Sequence, residues 1–275
     1  MRRFLRRSTV AESRPGTPSH LYNEEYFLTA CEGYDIFEQE AAAGVSRRLA
    51  AALRLVEFEP GDRILDIGCG RGEAVLGCAQ SGAMAYGVDY SADALRLAHQ
   101  ALRAEQKEPS RCICLAGADA KQLPFADASF DKLLMFDLVE HLYSWELPHA
   151  LGEAWRVLSS HGQLIIHTAP NRWYYQFGYP LYRLFERSRG RRLPADPRSR
   201  FPFHHLHVNE QDVLGLRRSL RHAGFEPRVW LGIIEPPLGN EDSLALKALL
   251  RMLLEAYPFR WVFRNDIFAI ACKRA

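Results

Sequence analysis

Alternating glycines that directly follow a short apolar run place the strongest constraint on how this chain folds. The run spans 64–67, with Asp66 as its single acid, and a segment rich in apolar residues starts at Glu73. The turn between them reads Gly68, Cys69, Gly70, Arg71 and Gly72. A continuous apolar run is typical of a buried parallel strand, and glycines let a backbone turn sharply and approach a ligand without an intervening Cβ. The pattern predicts a strand, a nucleoside-binding turn and a helix over 73–80 whose free N–H groups face the ligand.

A second apolar run, over 83–88, ends in Asp89 and Tyr90. Asp89 lies about twenty residues beyond the glycines, which is the offset at which a carboxylate accepts hydrogen bonds from ribose hydroxyls. We therefore predict that Asp89 and Tyr90 contact a nucleoside. An alternative stays open, in which Asp89 is a turn residue in front of a helix over 92–100 that Ser91 caps.

The glycine spacing also distinguishes between two classes of ligand. A dinucleotide site uses G-x-G-x-x-G and rests a pyrophosphate on the helix N-terminus. In this chain the glycines are two residues apart and follow Asp66, and the third glycine of the dinucleotide pattern is missing. A fixed negative charge at this position repels a pyrophosphate but attracts the ammonium of an amino-acid tail. The sequence therefore favours a nucleoside that carries an amino acid.

On these residues the chain resembles the class I S-adenosylmethionine-dependent methyltransferases, whose first motif is D-x-G-x-G-x-G. The similarity in residues and element order extends from residue 45 to the end. After a fourth strand, expected over 132–136, the run 137–141 (Asp-Leu-Val-Glu-His) is similar to the D-x-x-E-H pattern of ubiquinone-type O-methyltransferases. The resemblance implies S-adenosylmethionine as the cofactor. It assigns these cofactor-binding residues: Asp66, Gly68, Cys69, Gly70, Gly72, Asp89, Tyr90, Asp119, Ala120, Phe136 and Arg48.

The fold class that the resemblance implies is α/β, with a Rossmann-like, seven-stranded, mostly parallel sheet that has helices on both faces and an antiparallel last strand. We expect a mobile basic tail over 1–20, an N-terminal helical cap over 21–58, and a methyltransferase core over 59–275 with an insertion over 170–203.

The remaining elements follow from the same plan. Strands three, five, six and seven are expected over 111–115, 163–168, 227–234 and 261–272. Helices are expected over 148–158, 209–223 and 241–257, with a turn over 159–162. Gly224 is placed where the helix over 209–223 ends.

Composition limits the domain count and the partners. At 275 residues and 48% hydrophobic content, the chain can bury one large core without a second full domain. A formal net charge of +2 is too small to indicate nucleic-acid binding by the chain as a whole. Six cysteines without a C-x-x-C pair, two of them (Cys112 and Cys114) in an expected buried strand, are typical of reduced thiols in a cytoplasmic protein. The basic N-terminus lacks the apolar segment that a signal peptide needs.

Two segments outside the nucleoside core are expected to contact the acceptor. The first spans 22–55 and is interpreted as helices over the cofactor mouth, with Tyr22 and Tyr26 assigned to the substrate. Arg48 lies at the offset where the ubiquinone-type relatives place an arginine near the methionine carboxylate. An arginine on a solvated helix face is the alternative for Arg48, and it stays open.

The second segment, over 170–203, interleaves aromatic residues with arginines, and we assign its Trp173 and Tyr174 to the substrate. Aromatic rings prefer the boundary between apolar and wet surroundings, and arginine binds phosphate in a fork geometry. One interpretation is a helix in the headgroup plane of an anionic membrane, which predicts peripheral membrane contact and a lipid-linked acceptor. The other is a substrate lid whose aromatic residues pack on their own core.

Methyl transfer to a hydroxyl requires alignment of the acceptor, exclusion of water and removal of a proton. A histidine suits the last task. His141 is our first candidate because strand four ends facing the methyl group in this class of fold, and His167 and His205 are the alternatives. A structural role for His141 stays open. So does a divalent-cation site formed with Asp137 and Glu140, which the D-x-x-E-H resemblance allows, although we expect no metal.

The type of acceptor is constrained by a missing motif. Amino-group methyltransferases that act on nucleobases or glutamine often carry D/N-P-P-Y/F after strand four, where this chain has the residues 137–140 (Asp-Leu-Val-Glu). The sequence therefore favours a hydroxyl oxygen of a small, lipid-linked or saccharide-linked metabolite. The alternatives are a nitrogen or carbon acceptor, a non-catalytic S-adenosylmethionine-binding protein, and a nucleotide-dependent oxidoreductase.

Overall fold

A seven-stranded sheet forms the centre of the computed structural model, which describes residues 16–31, 46–105, 112–232, 243–245, 248, 252 and 255–274. The strands are β1 (Arg63–Ile67), β2 (Met84–Asp89), β3 (Ile113–Gly117), β4 (Phe130–Phe136), β5 (Leu158–Thr168), β6 (Phe225–Leu231) and β7 (Ile267–Lys273). Their order in the sheet is β3-β2-β1-β4-β5-β7-β6. Strands β1 to β5 pair in parallel, and β7 is antiparallel to both of its neighbours. The predicted Rossmann-like sheet with an antiparallel last strand is confirmed.

Helices cover both faces of this sheet. They are α1 (Glu24–Thr29), α2 (Arg47–Leu53), α3 (Glu73–Gln80), α4 (Ala92–Glu105), α5 (Leu147–Val157), α6 (Tyr179–Ser188), α7 (Val213–His222) and α8 (Phe259–Phe263). Short 3-10 turns lie at Ser19–Leu21, Val139–His141, Pro197–Arg200 and His204–Leu206, and a π turn spans Tyr174–Gly178. Helix α3 has the predicted bounds, whereas α4 continues five residues beyond its predicted end.

The core consists of two apolar layers, one on each face of the sheet. Side chains alternate along a strand, so Leu65 and Ile67 of β1 pack in the layer that contains α5 and α7, whereas Ile64 packs in the layer that contains α3. All three side chains are fully buried. Because both faces of β1 are covered, the strand is a continuous apolar run broken only by Asp66.

Local sequence sets the ends of α7. The Asp212 side chain accepts a 2.8 Å hydrogen bond from the Gly215 amide, so Asp212 caps the helix. Gly224, with φ of +92°, follows the last turn, in the left-handed conformation that glycine adopts readily. The helix predicted over 209–223 is correct at its end but begins four residues later, at Val213.

Strands β5 and β7 differ from their predicted bounds. Residues 159–162, expected to form a turn, belong to β5, because the buried Leu158 already pairs with Phe130 and the register shifts before Lys132. Strand β7 starts at Ile267 and not at 261, because 259–263 form α8. Strand β6 lies two to three residues earlier than predicted and starts directly after Gly224.

Two cysteines are placed differently from the expectation. Cys112 and Cys114 are exposed, because β3 is an edge strand of the sheet. The prediction that these two cysteines lie in a buried strand is therefore wrong, and it no longer supports assigning them as reduced core thiols. Most of the helix expected over 241–257 and residues 1–15 of the expected tail lie outside the described residues, whereas residues 19–21 form a 3-10 turn. None of the described helices combines the length and the apolar content of a membrane span.

Candidate cofactor and acceptor site

A cavity of about 610 Å³ lies at the carboxyl ends of the parallel strands, where open α/β sheets bind their ligands. This volume is within the range of about 300–1,000 Å³ that is typical of small-molecule sites. Its lining includes Asp66, Gly68 and Asp89 from β1 and β2, Phe136 and Asp137 from the end of β4, and Tyr26 from α1. The cavity therefore brings the predicted nucleoside turn and the predicted cap together.

Asp66 is a buried carboxylate without its full set of partners. Its side chain lines the cavity with only 3% of the residue exposed, and Oδ1 has no hydrogen-bond partner. Burial, together with the nearby carboxylates Asp89 and Glu73, raises the pKa of Asp66 to about 8. An unpaired buried carboxylate is costly, so this position is ready to receive a cationic donor from a ligand.

Asp89 is buried as well, but its carboxylate is satisfied by the backbone. Oδ2 accepts a 3.0 Å hydrogen bond from the Gly70 amide, and Oδ1 accepts a 2.8 Å bond from the Ser91 amide. These bonds fix the glycine turn to the end of β2. Each carboxylate oxygen has a further lone pair, so Asp89 can still accept ribose hydroxyls from the cavity that it lines.

Glycine is required at position 68. Gly68 has φ of +79°, and a Cβ there would lie 3.0 Å from Cδ1 of Leu138. Gly72, with φ of +84°, is the N-cap of α3, and a Cβ there would lie 3.1 Å from Cβ of Ala98. The turn therefore combines close packing with a conformation that other residues rarely adopt.

The other predicted cofactor residues surround this turn. Cys69, Gly70, Tyr90, Asp119, Ala120 and Phe136 all line the cavity, whereas Gly72 supports the turn from outside the lining. Asp119 is paired with Lys121 at 2.9 Å and is only partly buried. Arg48 also lines the cavity, and its guanidinium lies 3.8 Å from the carboxylate of Asp266.

The N-terminal helix α1 closes one side of the cavity. The Arg71 guanidinium, almost fully buried, donates a 2.7 Å hydrogen bond to the Phe27 carbonyl and pairs with Glu73 at 2.7 Å. The Ser91 hydroxyl donates a 2.6 Å bond to the Tyr22 carbonyl. The predicted substrate residues Tyr22 and Tyr26 both line the cavity, so α1 is tied to the same loops that carry Asp89 and the glycine turn.

His141 contacts both tyrosines of this cap. Its Nδ1 lies 3.1 Å from the Leu206 carbonyl, which can only accept, so Nδ1 carries the proton. Nε2 then holds the lone pair and accepts a hydrogen bond from the Tyr26 hydroxyl at 3.3 Å, and the Tyr22 hydroxyl lies 3.0 Å from Nδ1. Burial, with His207 next to it, lowers the pKa of His141 to about 3, so the ring is neutral at neutral pH.

His167 has the opposite character. Its ring is buried between two carboxylates, with Nδ1 2.8 Å from Asp137 and Nε2 3.1 Å from Asp266. Burial lowers the pKa of His167, but the two carboxylates outweigh burial and raise it to about 10. His167 is therefore a cation at neutral pH. It is not among the residues that line the cavity.

The carboxylates near His141 differ in their charge. The His167 cation beside Asp137 holds the pKa of Asp137 below its usual range. Glu140, almost fully buried, accepts a 2.7 Å hydrogen bond from the Thr168 hydroxyl. Burial, which is the larger cause, and the negative charge of Asp137 together raise the pKa of Glu140 to about 8.

The geometry does not assemble the metal-ligand set that the sequence allowed. In the part of the chain that the structure describes, the ligating atoms that come within 4.8 Å of one another belong to Glu140, His141 and His207. Asp137 is absent from this group because its carboxylate is paired with His167. Within this group, Glu140 accepts a hydrogen bond from Thr168 of β5, and His141 contacts Tyr26 of the cap.

The aromatic segment places different residues in the cavity from those expected. Trp173 packs on Trp261 with ring centroids 5.5 Å apart, and Tyr174 packs on its neighbour Tyr175; neither Trp173 nor Tyr174 lines the cavity. Tyr175 lines it, because the π turn at this point shifts the direction of successive side chains. The Arg198 guanidinium covers the Tyr175 ring at 4.5 Å.

On an extended strand, His205 and His207 would share one face. They lie instead in and after a 3-10 turn. His205 is exposed and does not line the cavity, whereas His207 lines it and packs on His141 with centroids 4.8 Å apart. Cavity residues that were not assigned from the sequence include Tyr175, Arg198, Phe201, Phe203, Glu210, Asn265 and Asp266.

Comparisons with known proteins agree with this architecture. Residues 65–166 match the family described as "Methyltransferase domain". The 27-O-demethylrifamycin SV methyltransferase of Amycolatopsis mediterranei is 34% identical over 130 residues, which are 46% of this chain and 45% of the relative. The demethylmenaquinone methyltransferase of Symbiobacterium thermophilum is 31% identical over 167 residues, 58% of this chain and 65% of the relative. The chain thus spans less than two thirds of the length of either relative.

Solved structures show the same fold. Phosphoethanolamine N-methyltransferase 2 of Haemonchus contortus, solved in complex with S-adenosyl-L-methionine, has a TM-score of 0.58 at 17% identity over 92% of this chain and 60% of that one. The YcgJ protein of Bacillus subtilis has a TM-score of 0.56 at 19% identity over 83% of this chain and 98% of that one.

The fold is the Rossmann-like fold that these solved structures share. Residues 65–166 match a methyltransferase domain, and the predicted resemblance to the class I S-adenosylmethionine-dependent methyltransferases is confirmed, with S-adenosylmethionine as the cofactor of that class. The residues fit this cofactor. The unpaired Oδ1 of Asp66 is an acceptor for an ammonium group, and Asp89 keeps free lone pairs for ribose hydroxyls.

Proposed function

We propose that this chain transfers the methyl group of S-adenosylmethionine to a hydroxyl oxygen on the ring of a planar, lipid-linked acceptor. The observation that carries the proposal is that one cavity joins the buried carboxylates Asp66 and Asp89 to an aromatic end formed by Tyr175, Phe201 and Phe203. The first end suits a charged nucleoside, and the second suits a flat apolar ring.

Three residues hold the cofactor in this proposal. Asp66 binds the ammonium, Asp89 binds the ribose hydroxyls, and Arg48, which lines the same cavity, pairs with the methionine carboxylate. When bound, the cofactor supplies an activated methyl group on a sulfonium. The remaining task of the protein is to align an acceptor and to exclude water.

The aromatic end favours a ring as the acceptor. Phe203 packs edge-on against Tyr26 with centroids 5.4 Å apart, and the Arg198 guanidinium, paired with Glu210, covers Tyr175. The names of two relatives specify demethylmenaquinone and 2-phytyl-1,4-naphthoquinone, which are consistent with such a ring. The ubiquinone/menaquinone relatives are named C-methyltransferases, whereas the rifamycin relative is named for an oxygen acceptor. A reduced quinone offers a hydroxyl on a planar ring and carries a lipid tail.

His141 is the proton acceptor in this proposal. Its neutral ring directs the Nε2 lone pair to the Tyr26 hydroxyl, which faces the cavity. With a pKa of about 3 the ring is a weak base, so it takes up the proton as the acceptor oxygen bonds to the methyl group, when the proton on that oxygen becomes strongly acidic. His167 does not serve this purpose because both of its ring nitrogens already bind carboxylates. His205 does not reach the cavity.

The test uses a labelled cofactor and a series of reduced quinones. The protein is incubated with methyl-tritiated S-adenosylmethionine and naphthoquinols that differ in tail length, and the products are identified by mass spectrometry and NMR. We expect O-methylated product, with much less from the His141→Ala variant. A methyl group on a ring carbon contradicts the oxygen assignment. Cofactor binding without transfer to any of these acceptors favours a non-catalytic S-adenosylmethionine-binding protein.

We further propose that the chain contacts an anionic membrane through its insertion. Phe177, Leu181 and Leu184 are between 49% and 66% exposed and fall at i, i+4 and i+7, which is one stripe of a helix. Exposed Arg183 and Arg187 flank this stripe on α6. These five residues are called the basic stripe. An apolar stripe flanked by arginines is typical of a helix that lies in the headgroup plane.

The charge of the surrounding segment favours an anionic surface as the partner. Residues 172–200 contain eight arginines and two acids, whereas the whole chain has a net charge of only +2. Glu186, the acid on α6, is buried and paired with Arg189 and Arg191, so it does not neutralise the exposed arginines of the basic stripe. Each arginine near an anionic membrane contributes about 1 kcal/mol of attraction.

Vesicle flotation tests this contact. We expect the protein to float with vesicles that contain phosphatidylglycerol and to stay behind with pure phosphatidylcholine vesicles. The Leu184→Asn and Arg183→Glu variants should both lose binding. The matched control is Leu214→Asn, at a leucine of α7 that is 51% exposed and lies outside the basic stripe. Equal binding to neutral vesicles, or no difference between Leu184→Asn and its control, contradicts the proposed surface.

A further inference from the structure

The two hydrogen bonds of His167 define its charge from geometry alone. Nδ1 lies 2.8 Å from Oδ1 of Asp137, and Nε2 lies 3.1 Å from Oδ1 of Asp266. A neutral imidazole has one N–H and one lone pair, so it can donate a hydrogen bond to only one carboxylate. Two carboxylates can both accept from the ring only when both of its nitrogens carry protons. His167 is therefore an imidazolium that joins the ends of β4 and β5 to the residue before β7.

The surroundings of this triad keep it in place. The His167 side chain is 2% exposed, and its ring packs at 4.8 Å on Phe268 of β7. The Arg48 guanidinium lies 3.8 Å from the same Asp266 oxygen, Oδ1, that the imidazolium contacts. Two carboxylates share one imidazolium, so the triad of Asp137, His167 and Asp266 carries one net negative charge.

Asp137 has an unusual backbone conformation that directs it to the cavity. Its φ is +50°, in the left-handed region that non-glycine residues rarely adopt. The Asp137 amide donates a 3.0 Å hydrogen bond to the His167 carbonyl. His167 therefore holds both the backbone and the side-chain carboxylate of Asp137. Strained conformations persist where the surroundings fix them, and they cluster at functional sites. The Asp137 side chain is 48% exposed, and it lines the cavity.

The position of Asp137 relative to the cofactor residues follows from the sheet. Strand β4 is the neighbour of β1 in the sheet. Leu138, the residue after Asp137, has its Cδ1 atom 3.0 Å from where a Cβ on Gly68 would lie. In the proposed function, Asp89 would bind the ribose of the cofactor and Asp66 its ammonium. The sulfonium, which joins the ribose to the amino-acid tail, would then lie beside the glycine turn and the end of β4.

We propose that Asp137 is the anion that faces the sulfonium of the cofactor, and that His167 is a positioning residue that holds Asp137 there. This inference rests on the proposed cofactor. The charge favours the cationic S-adenosylmethionine over neutral S-adenosylhomocysteine, and so assists the exchange of product for fresh cofactor. A single charge at close range in a partly solvated cavity accounts for a preference of about tenfold.

Calorimetric titration of both ligands measures this preference. In the wild-type protein we expect S-adenosylmethionine to bind more tightly than S-adenosylhomocysteine, and Asp137→Asn should reduce the ratio of the two affinities about tenfold. His167→Gln should reduce the ratio in the same direction. The control is Asp119→Asn at the other end of the cavity, which should weaken both ligands alike and leave the ratio unchanged.

Nitrogen NMR of the wild-type protein gives a readout that needs no variant and no ligand. We expect both ring nitrogens of His167 to be protonated at pH 8. A neutral His167 ring at that pH, or an unchanged ratio of affinities in Asp137→Asn, overturns the inference. If neither ligand binds the wild-type protein, the proposed function fails as well, whereas binding of both with an unchanged ratio refutes the role of Asp137 alone.

Discussion

Replacing Asp66 with asparagine should stabilise the ligand-free protein, although it removes a residue of the binding site. The Asp66 carboxylate is buried, its Oδ1 has no partner, and its pKa is raised to about 8 by burial and the nearby acids. The ordinary pKa of aspartate is about 3.9. The folded state therefore binds more protons than the unfolded state between these values, and stability falls as the pH rises through that window.

The magnitude follows from the width of the window. The pKa of Asp66 in the unfolded state lies about three units below pH 7. At about 1.4 kcal/mol per unit, burying this group lowers the free energy of unfolding at pH 7 by at most about 4 kcal/mol. Asparagine removes this cost but leaves an amide whose unmade hydrogen bonds cost about 1–3 kcal/mol. We expect Asp66→Asn to raise the free energy of unfolding at pH 7 by about 1–3 kcal/mol, and to change it little at pH 4.

Urea unfolding of both proteins between pH 4 and pH 8 tests this prediction. The difference in stability should grow with pH in favour of Asp66→Asn. The matched control is Asp89→Asn, which should destabilise the protein because the Asp89 carboxylate accepts hydrogen bonds from the amides of Gly70 and Ser91. The reasoning is refuted if Asp66→Asn is less stable than the wild type at pH 7, or if the difference between them does not depend on pH.

Three further predictions concern the same cavity. Binding of S-adenosylmethionine at pH 7 should release close to one proton from Asp66, measured as a dependence of the calorimetric enthalpy on the buffer; identical enthalpies in all buffers contradict this. Gly68→Ala should abolish cofactor binding because its Cβ meets Leu138 at 3.0 Å, and wild-type affinity by calorimetry would refute the close packing. Arg71→Ala should destabilise the protein by about 3–5 kcal/mol in urea unfolding, since it leaves Glu73 unpaired; a change below 1 kcal/mol would argue against a buried ion pair.

The nucleoside half of the site could be predicted from the sequence because its determinants are local. The strand, glycine turn and helix that hold Asp66 and Gly68 lie within one short segment, and α3 has the predicted bounds. Asp89 was found by its offset from the glycines. Such features depend on periodicity and on backbone conformations that only glycine adopts readily.

The acceptor half could not be predicted in the same way because tertiary contacts determine it. The π turn that directs Tyr175 into the cavity, and the 3-10 turn that separates His205 from His207, change the periodicity on which side-chain direction was based. The role of His167 depends on Asp266, which lies 99 residues further along the chain and meets it only through the pairing of β5 with β7. Single-sequence patterns contain no signal for such a pair.

A calorimetric titration of the purified protein and of its Asp89→Ala variant with S-adenosylmethionine, S-adenosylhomocysteine and NADH tests whether Asp66 and Asp89 form a cofactor site. We predict one site per chain, micromolar affinity for both adenosyl ligands, loss of both in the variant, and no binding of NADH. Binding of NADH, or no binding of either adenosyl ligand to the wild-type protein, would contradict a cofactor site built from Asp66 and Asp89.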